Sequence, residues 1–265
     1  MSLSVVPGLI LLILGYAMIN PAMAKTNTLP SWLVSEPSTG TISAINNDLT
    51  LKLGQTNPIK LANIVLIPAL QREALEKGWN SHTVHIHPTS PKPDRHNRLS
   101  AHVIRLKDDH PLWLQADLVE KGMAQVSVSP NNQSCFSTLL KLEHQARKEQ
   151  KGEWAKDKEF KVYRADELDQ LNQIQQGKFV IVKGNVLTIG RSGQNTFINF
   201  SKEWQKDFTV LIKTRLLHRK TLNWPNIKTL PGKEVEVRGW LDHWNGPMIR
   251  VEVPEQLQRL EQKNH

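Results

Sequence analysis

Cysteine is nearly absent: Cys135 is the only one in 265 residues. One thiol excludes an intramolecular disulfide and a cysteine-based zinc site. Beside Phe136 it fits a small core residue. Past the N-terminus, no apolar run is long enough to cross a bilayer. A glycine-rich phosphate loop is also missing, since the glycines of GNVLTIGRSG serve a hairpin turn. Acidic residues are outnumbered 25 to 34, leaving a net charge of +9. A basic surface favours nucleic acid, another polyanion or an anionic membrane, although a soluble basic protein without such a partner has the same composition. Hydrophobic residues make up 39% of the chain, enough for real cores, and the length suits two ordinary domains.

Residues 3–19, LSVVPGLILLILGYAMI, carry no charge, and Asn20-Pro21 and then Ala22-Met23-Ala24 follow. A short apolar run, a helix breaker and a small-residue site describe a signal peptide over 1–24 with cleavage after Ala24. The protein is then exported, periplasmic or secreted, with no transmembrane domain once the signal is removed. The alternative is an N-terminal membrane anchor, although Pro7 and Gly8 shorten the run. No basic residue precedes it, and no lipid-accepting cysteine follows it.

Residues 25–38 read as a tether. GTISAINNDLTLKLG, residues 40–54, alternates apolar residues around a turn at Asn46-Asn47-Asp48, which predicts a hairpin. A third strand runs from Ile59 to Leu66. Pro68 opens a helix with Leu70, Ala74, Leu75 and Trp79 on one face. Strands at 83–87 and 100–107 flank a polar, proline-rich loop. One helix from about Leu114 ends at Gly122, and another runs from about Gln133 to Lys151 with Phe136, Leu139, Leu140 and Ala146 at helical spacing. The first domain spans 39–155. Charged, Gln-rich residues 156–176 read as a partly helical linker. Five strands with an insertion between the third and fourth fill 177–257, the plan of an OB-type barrel, and 258–265 form a tail. The fold class is mainly β with helices (α+β), as two small barrels in tandem. Residues 177–265 hold 15 basic against 8 acidic residues, so most of the charge excess lies on the second barrel.

Three segments carry a resemblance. DRHNRLSAHV at 94–103, DLVEKGMAQV at 117–126 and EHQARKEQKGEWA at 143–155 resemble, in order, motifs of the thermonuclease (SNase-like) family. The second half is similar to an OB-like extension found on some members. The family's chemistry implies calcium-assisted phosphodiester hydrolysis: carboxylates hold the ion, a glutamate acts as general base, and two arginines neutralise phosphoryl charge. Carried over, the arginines fall on Arg98 and Lys60. One metal aspartate falls on Val65 or Leu66, depending on register, and the glutamate on Pro68 or Ala69. Asp48 is the one matching metal position. Glu73 and Asp94 are the residues able to substitute for a missing carboxylate. The resemblance therefore implies a catalytically degenerate relative that needs no cofactor. An active calcium-dependent phosphodiesterase with relocated carboxylates is the alternative, and an envelope protein-interaction module the third reading.

Other constellations are weaker. His82, His85 and His87 lie close together, but no local acid or thiol completes a metal set, and exposed strand histidines explain them. In the second barrel, Trp204, Lys213, Arg215, Arg219 and Lys220 combine an aromatic with cations, which suits nucleic-acid binding. Trp240 and Trp244 flank a hairpin turn at Asn245-Gly246 and are assigned to packing.

Overall fold

The structure is a computed structural model that describes residues 37–107, 110–128, 135–203 and 207–260. The leader, residues 25–36, Trp204 and the last five residues lie outside the described residues. No described helix is long and apolar enough to cross a membrane.

The first domain begins with β1 (Ser38–Thr41), β2 (Ala44–Ile45), β3 (Leu51–Lys52), β4 (Ile59–Leu61) and β5 (Ile64–Val65). Then come α1 (Pro68–Trp79), β6 (Thr83–Pro88) and β7 (Leu99–Lys107). β1 pairs with β6, whereas β2 pairs with β3. Between them the Ile42 N–H donates to the His82 carbonyl at 3.0 Å and the Ser43 N–H to the Lys52 carbonyl at 2.8 Å. One continuous strand therefore changes partner between residues 42 and 43. β3 pairs with β4, β4 runs parallel to β7, and β7 returns antiparallel to β6. The ladder closes into a five-stranded barrel. Alternation fills it: Ile59 and Leu61 are buried while Lys60 is exposed.

Pro68 stands in the first turn of α1, where its missing N–H costs nothing. The buried face is Gln71, Leu75 and Trp79; Leu70, expected inward, is 37% exposed. Gln71 is turned inward by the chain before the helix, because its Oε1 accepts the Ile67 N–H at 2.6 Å. After β8 (His110–Trp113), α2 (Leu114–Glu120) and β9 (Gln125–Val126), the last helix of the domain is α3 (Phe136–Lys148). Its buried positions are Phe136, Leu139, Glu143 and Ala146, so a glutamate occupies the stripe that faces the interior. Two motif glycines meet behind these helices. Gly122 (φ +70°) and Gly152 (φ +52°) are left-handed, and a Cβ on Gly122 would fall 2.1 Å from the Lys151 carbonyl oxygen. Only glycine permits that backbone-to-backbone contact.

The second domain contains β10 (Val162–Arg164), α4 (Leu168–Gln173), β11 (Phe179–Asn185), β12 (Thr188–Ser192), β13 (Asn195–Asn199) and β14 (Thr209–Lys213). α5 (Thr214–Leu217), β15 (Glu234–His243), β16 (Pro247–Val251) and β17 (Leu257–Arg259) complete it. It repeats the closure of the first. β11 pairs with β15 and β12 with β13, and the switch falls at Val186 and Leu187, whose N–H groups reach the Lys233 and Asn199 carbonyls at 2.9 Å each. β13 pairs with β14, β14 runs parallel to β16, and β16 pairs with β15. Residues 156–176 are not a free linker. β10 joins β11 in parallel, and Phe160, Ala165 and Leu171 are buried. The tail likewise begins inside the fold, since β17 pairs with β15.

The barrels dock through buried charge. Arg238 on β15, 1% exposed, donates to Glu143 Oε2 at 2.9 Å, Glu236 Oε1 at 2.7 Å and the Val126 carbonyl at 2.9 Å. Arg147 joins the same two carboxylates at 2.6 and 2.8 Å. Burial pushes the Glu236 carboxyl up, but the two guanidinium groups outweigh it and hold it below its ordinary range. Arg147 also lies over the Trp154 ring, 4.7 Å from its centroid.

Candidate functional site

The first barrel's candidate site gathers around Arg98, which stands just before β7. The 94–98 loop folds because Asp94 Oδ1 accepts the backbone N–H groups of His96 and Arg98 at 2.9 and 3.0 Å, an Asx-type turn. Asp94 Oδ2 meanwhile takes Nε and Nη2 of Arg98 at 3.0 and 2.8 Å. On the facing hairpin, Asp48 Oδ1 accepts from the Thr50 hydroxyl at 2.7 Å and the Thr50 N–H at 3.2 Å, and its Oδ2 lies 3.6 Å from Arg98 Nη1. The Arg98 guanidinium and two backbone N–H groups hold the Asp94 carboxyl well below the usual carboxylate range. Burial raises Asp48, but its bonds to Thr50 and the charge of Arg98 outweigh that and lower it. The Asp94 contact in turn raises Arg98.

Two acidic side chains, Asp48 and Asp94, thus stand beside Arg98, whereas Glu73 does not. Both aspartates are committed to that arginine and to backbone or hydroxyl donors. Lys60, on β4 and in register with Ser100 of β7, is exposed and lines the adjoining cleft with Asp48 and Asp94. Val65 and Leu66 line the same cleft and add only apolar side chains to it. Glu73 is exposed on α1 and lines neither of the cavities beside Arg98. Calcium requires six to eight oxygen ligands, and this donor set does not fit it. Among the described residues no group of three or more His, Cys, Asp or Glu is placed to hold a metal.

The histidines divide by burial. His82 Nδ1 bonds the Asn80 carbonyl at 3.0 Å, and His85 Nδ1 lies 3.4 Å from the Thr39 hydroxyl. His87, expected on an exposed face, is buried opposite His102 across β6 and β7. His102 Nδ1 accepts from Trp113 Nε1 at 3.3 Å, and its Nε2 lies 3.5 Å from Cys135 Sγ. Burial, with a smaller contribution from His87, lowers His102 to about 3. Burial pushes the Cys135 thiol up to about 12. Both partners are neutral at ordinary pH, the opposite of an activated thiolate–imidazolium pair.

In the second barrel, residues 187–233 hold nine basic and two acidic residues. One of the two acids, Asp207, is buried and accepts the backbone N–H groups of Phe200 and Ser201. Lys213, Arg215, Arg219 and Lys220 are exposed, and no ion pair among the described residues involves them. Lys213 donates to Asn195 Oδ1 at 2.9 Å. Trp204, expected beside them, lies outside the described residues. Trp240 and Trp244, assigned above to packing, are instead 55% and 62% exposed. Their signal was in the sequence: Trp240 shares the outward parity of Glu234, Glu236, Arg238 and Asp242 along β15.

Between the barrels runs a cleft of about 740 Å³, with Lys60 and Asp48 on one wall and Trp240 and Arg250 on the other. Against this geometry, residues 70–156 match the family model described as staphylococcal nuclease homologue, from the first turn of α1 through the Gly152–Trp154 segment. No curated protein matches the chain.

Proposed function

We propose that this chain, which carries a staphylococcal nuclease-homologue domain, is an exported nucleic-acid- or polyanion-binding protein whose nuclease-type pocket no longer hydrolyses phosphodiesters. One observation carries the catalytic part. The two acids at the pocket are engaged by Arg98 and its loop; the family resemblance, in either register, adds that Val65 or Leu66 falls at the ion ligand and Pro68 or Ala69 at the general base. A general base alone is worth roughly 10²–10⁴ in rate. Lysine at position 60 keeps a charge but not the bidentate fork that suits phosphate. The unpaired cations of the second barrel support binding, and the uncharged N-terminal run with Ala22-Met23-Ala24 supports export.

Purified protein incubated with single-stranded and duplex DNA and RNA is expected to leave all four intact, with calcium or with chelator. Calcium-dependent cleavage that Asp94→Asn or Glu73→Gln abolishes would instead establish the active phosphodiesterase. Binding is expected to weaken as salt rises, with a linear log–log dependence. Reversing Arg215, Arg219 and Lys220 to glutamate is expected to weaken oligonucleotide binding roughly tenfold or more and flatten the single-strand salt slope by about 2. An unchanged slope removes this face from the binding surface and favours protein contact.

A further inference from the structure

Along β15, Val235, Val237 and Leu241 are buried in the second barrel's core cluster, and the alternate positions face outward. The outward Glu236 and Arg238 are covered by α3. Trp240 is the next outward position and is uncovered; Trp244 follows one residue past the end of β15, in the hairpin turn, and is also exposed. Exposing two indoles at one end of β15 is unfavourable in water, and the core does not require it. Trp240 is held in place: the Phe179 ring meets it edge-on, centroids 5.4 Å apart at 75°. Asp242, between the two tryptophans, is tied to Arg250 at 2.9 Å and Gln176 at 2.6 Å, so its charge is neutralised.

We infer that Trp240 and Trp244 form a stacking platform for unpaired bases, which lays single-stranded nucleic acid along the seam between the barrels toward Lys60 and Arg98. This rests on the nucleic-acid reading above and names the ligand's form and place. Trp240 lines both the 740 Å³ cleft and a second cavity of about 500 Å³, which Lys161 and Lys178 also line. Trp240 thus shares one cavity with Lys60 and the other with Lys178, neither lysine in an ion pair among the described residues. Five acids line the two cavities, Asp48, Asp94, Glu159, Asp242 and Glu252, against the four cations Lys60, Lys161, Lys178 and Arg250, and Arg98 pairs with Asp48 and Asp94, so charge does not draw a ligand into the seam. Stacking does, at roughly ten- to a hundredfold in affinity per base, and it tolerates any sequence. Bases paired inside a duplex cannot reach the rings. The seam thus selects single strands, while the basic face acts on any polyanion.

Anisotropy of a labelled oligothymidylate and of a labelled DNA duplex tests this on the full chain. Trp240→Ala is expected to weaken oligothymidylate binding roughly tenfold or more. The salt slope and the duplex affinity stay unchanged, and Trp240→Phe restores binding to within about threefold. Trp240→Ala binding within twofold of the parent overturns the inference, as does an equal loss on duplex. So does Trp240-dependent binding to phosphatidylserine vesicles without an effect on oligothymidylate. If the Arg215, Arg219 and Lys220 reversal abolishes binding while Trp240→Ala does not, the seam is refuted and the polyanion reading survives. If the parent binds no oligonucleotide, both fall.

Discussion

Arg238→Met is expected to lower the stability of the protein by about 3–5 kcal/mol, the range for breaking a buried ion pair from one side. The guanidinium is 1% exposed and Glu143 is fully buried. Without it, Arg147 alone must balance Glu143 and Glu236, the Val126 carbonyl loses its donor, and a net negative charge stays buried where two domains meet. Methionine fills the space but supplies no donor. Urea unfolding reads the loss as a lower midpoint. Because the network is the polar part of the docking surface, the variant is also expected to unfold less cooperatively, with a smaller m-value. Removing charges in balance should hurt less: Glu236→Gln with Arg238→Met leaves the Glu143–Arg147 pair intact at 2.6 Å. The difference between single and double variants measures the coupling. A single-variant loss below about 1 kcal/mol would show that docking rests on apolar contact alone.

Acid is expected to destabilise the protein well above the carboxylate range. His102 titrates near 6.5 in the unfolded chain and at about 3 in the fold, because burial disfavours its cation. A depressed native value means that the unfolded state takes the proton first. The stability linked to His102 is therefore complete above pH 6.5 and drains as pH falls toward 3, by roughly 4 kcal/mol. Asp94 and Glu236, both lowered in the fold, add a further loss at more acid pH. Thermal midpoints across pH 7 to 4 check this, with His102→Gln as the comparison. That variant costs stability at pH 7 through the Trp113 and Cys135 contacts but flattens the dependence between pH 6.5 and 4.5. A parent curve flat over that interval rejects the assignment.

The strands of both barrels were legible because their alternation is local: Ile59 and Leu61 inward, Lys60 outward. The partner switches at 42–43 and 186–187 were not, since ordinary residues make them and the hydrogen bonds come from elsewhere in the chain. Residues 156–176 look like a linker because their composition is charged; Phe160 is buried between Trp154 of the first domain and Ile181 of the second, and Ala165 and Leu171 against the second barrel's core. Glu143 looked like one more exposed charge on a helix, because its partner Arg238 lies 95 residues away. At the site, motif spacing pointed to Arg98, Lys60, Asp48 and Asp94; the fold puts Lys60 and both aspartates on one cleft and pairs the aspartates with Arg98 beside it. The spacing missed that the aspartates serve Arg98, which only the folded loop reveals.

The partner switches also govern how copies of the protein meet. Each barrel terminates its own ladder internally, and the strands added outside, β8, β10 and β17, are only three or four residues long. Strips that short offer little backbone for a neighbouring chain to extend. Edge-to-edge pairing between copies is therefore disfavoured.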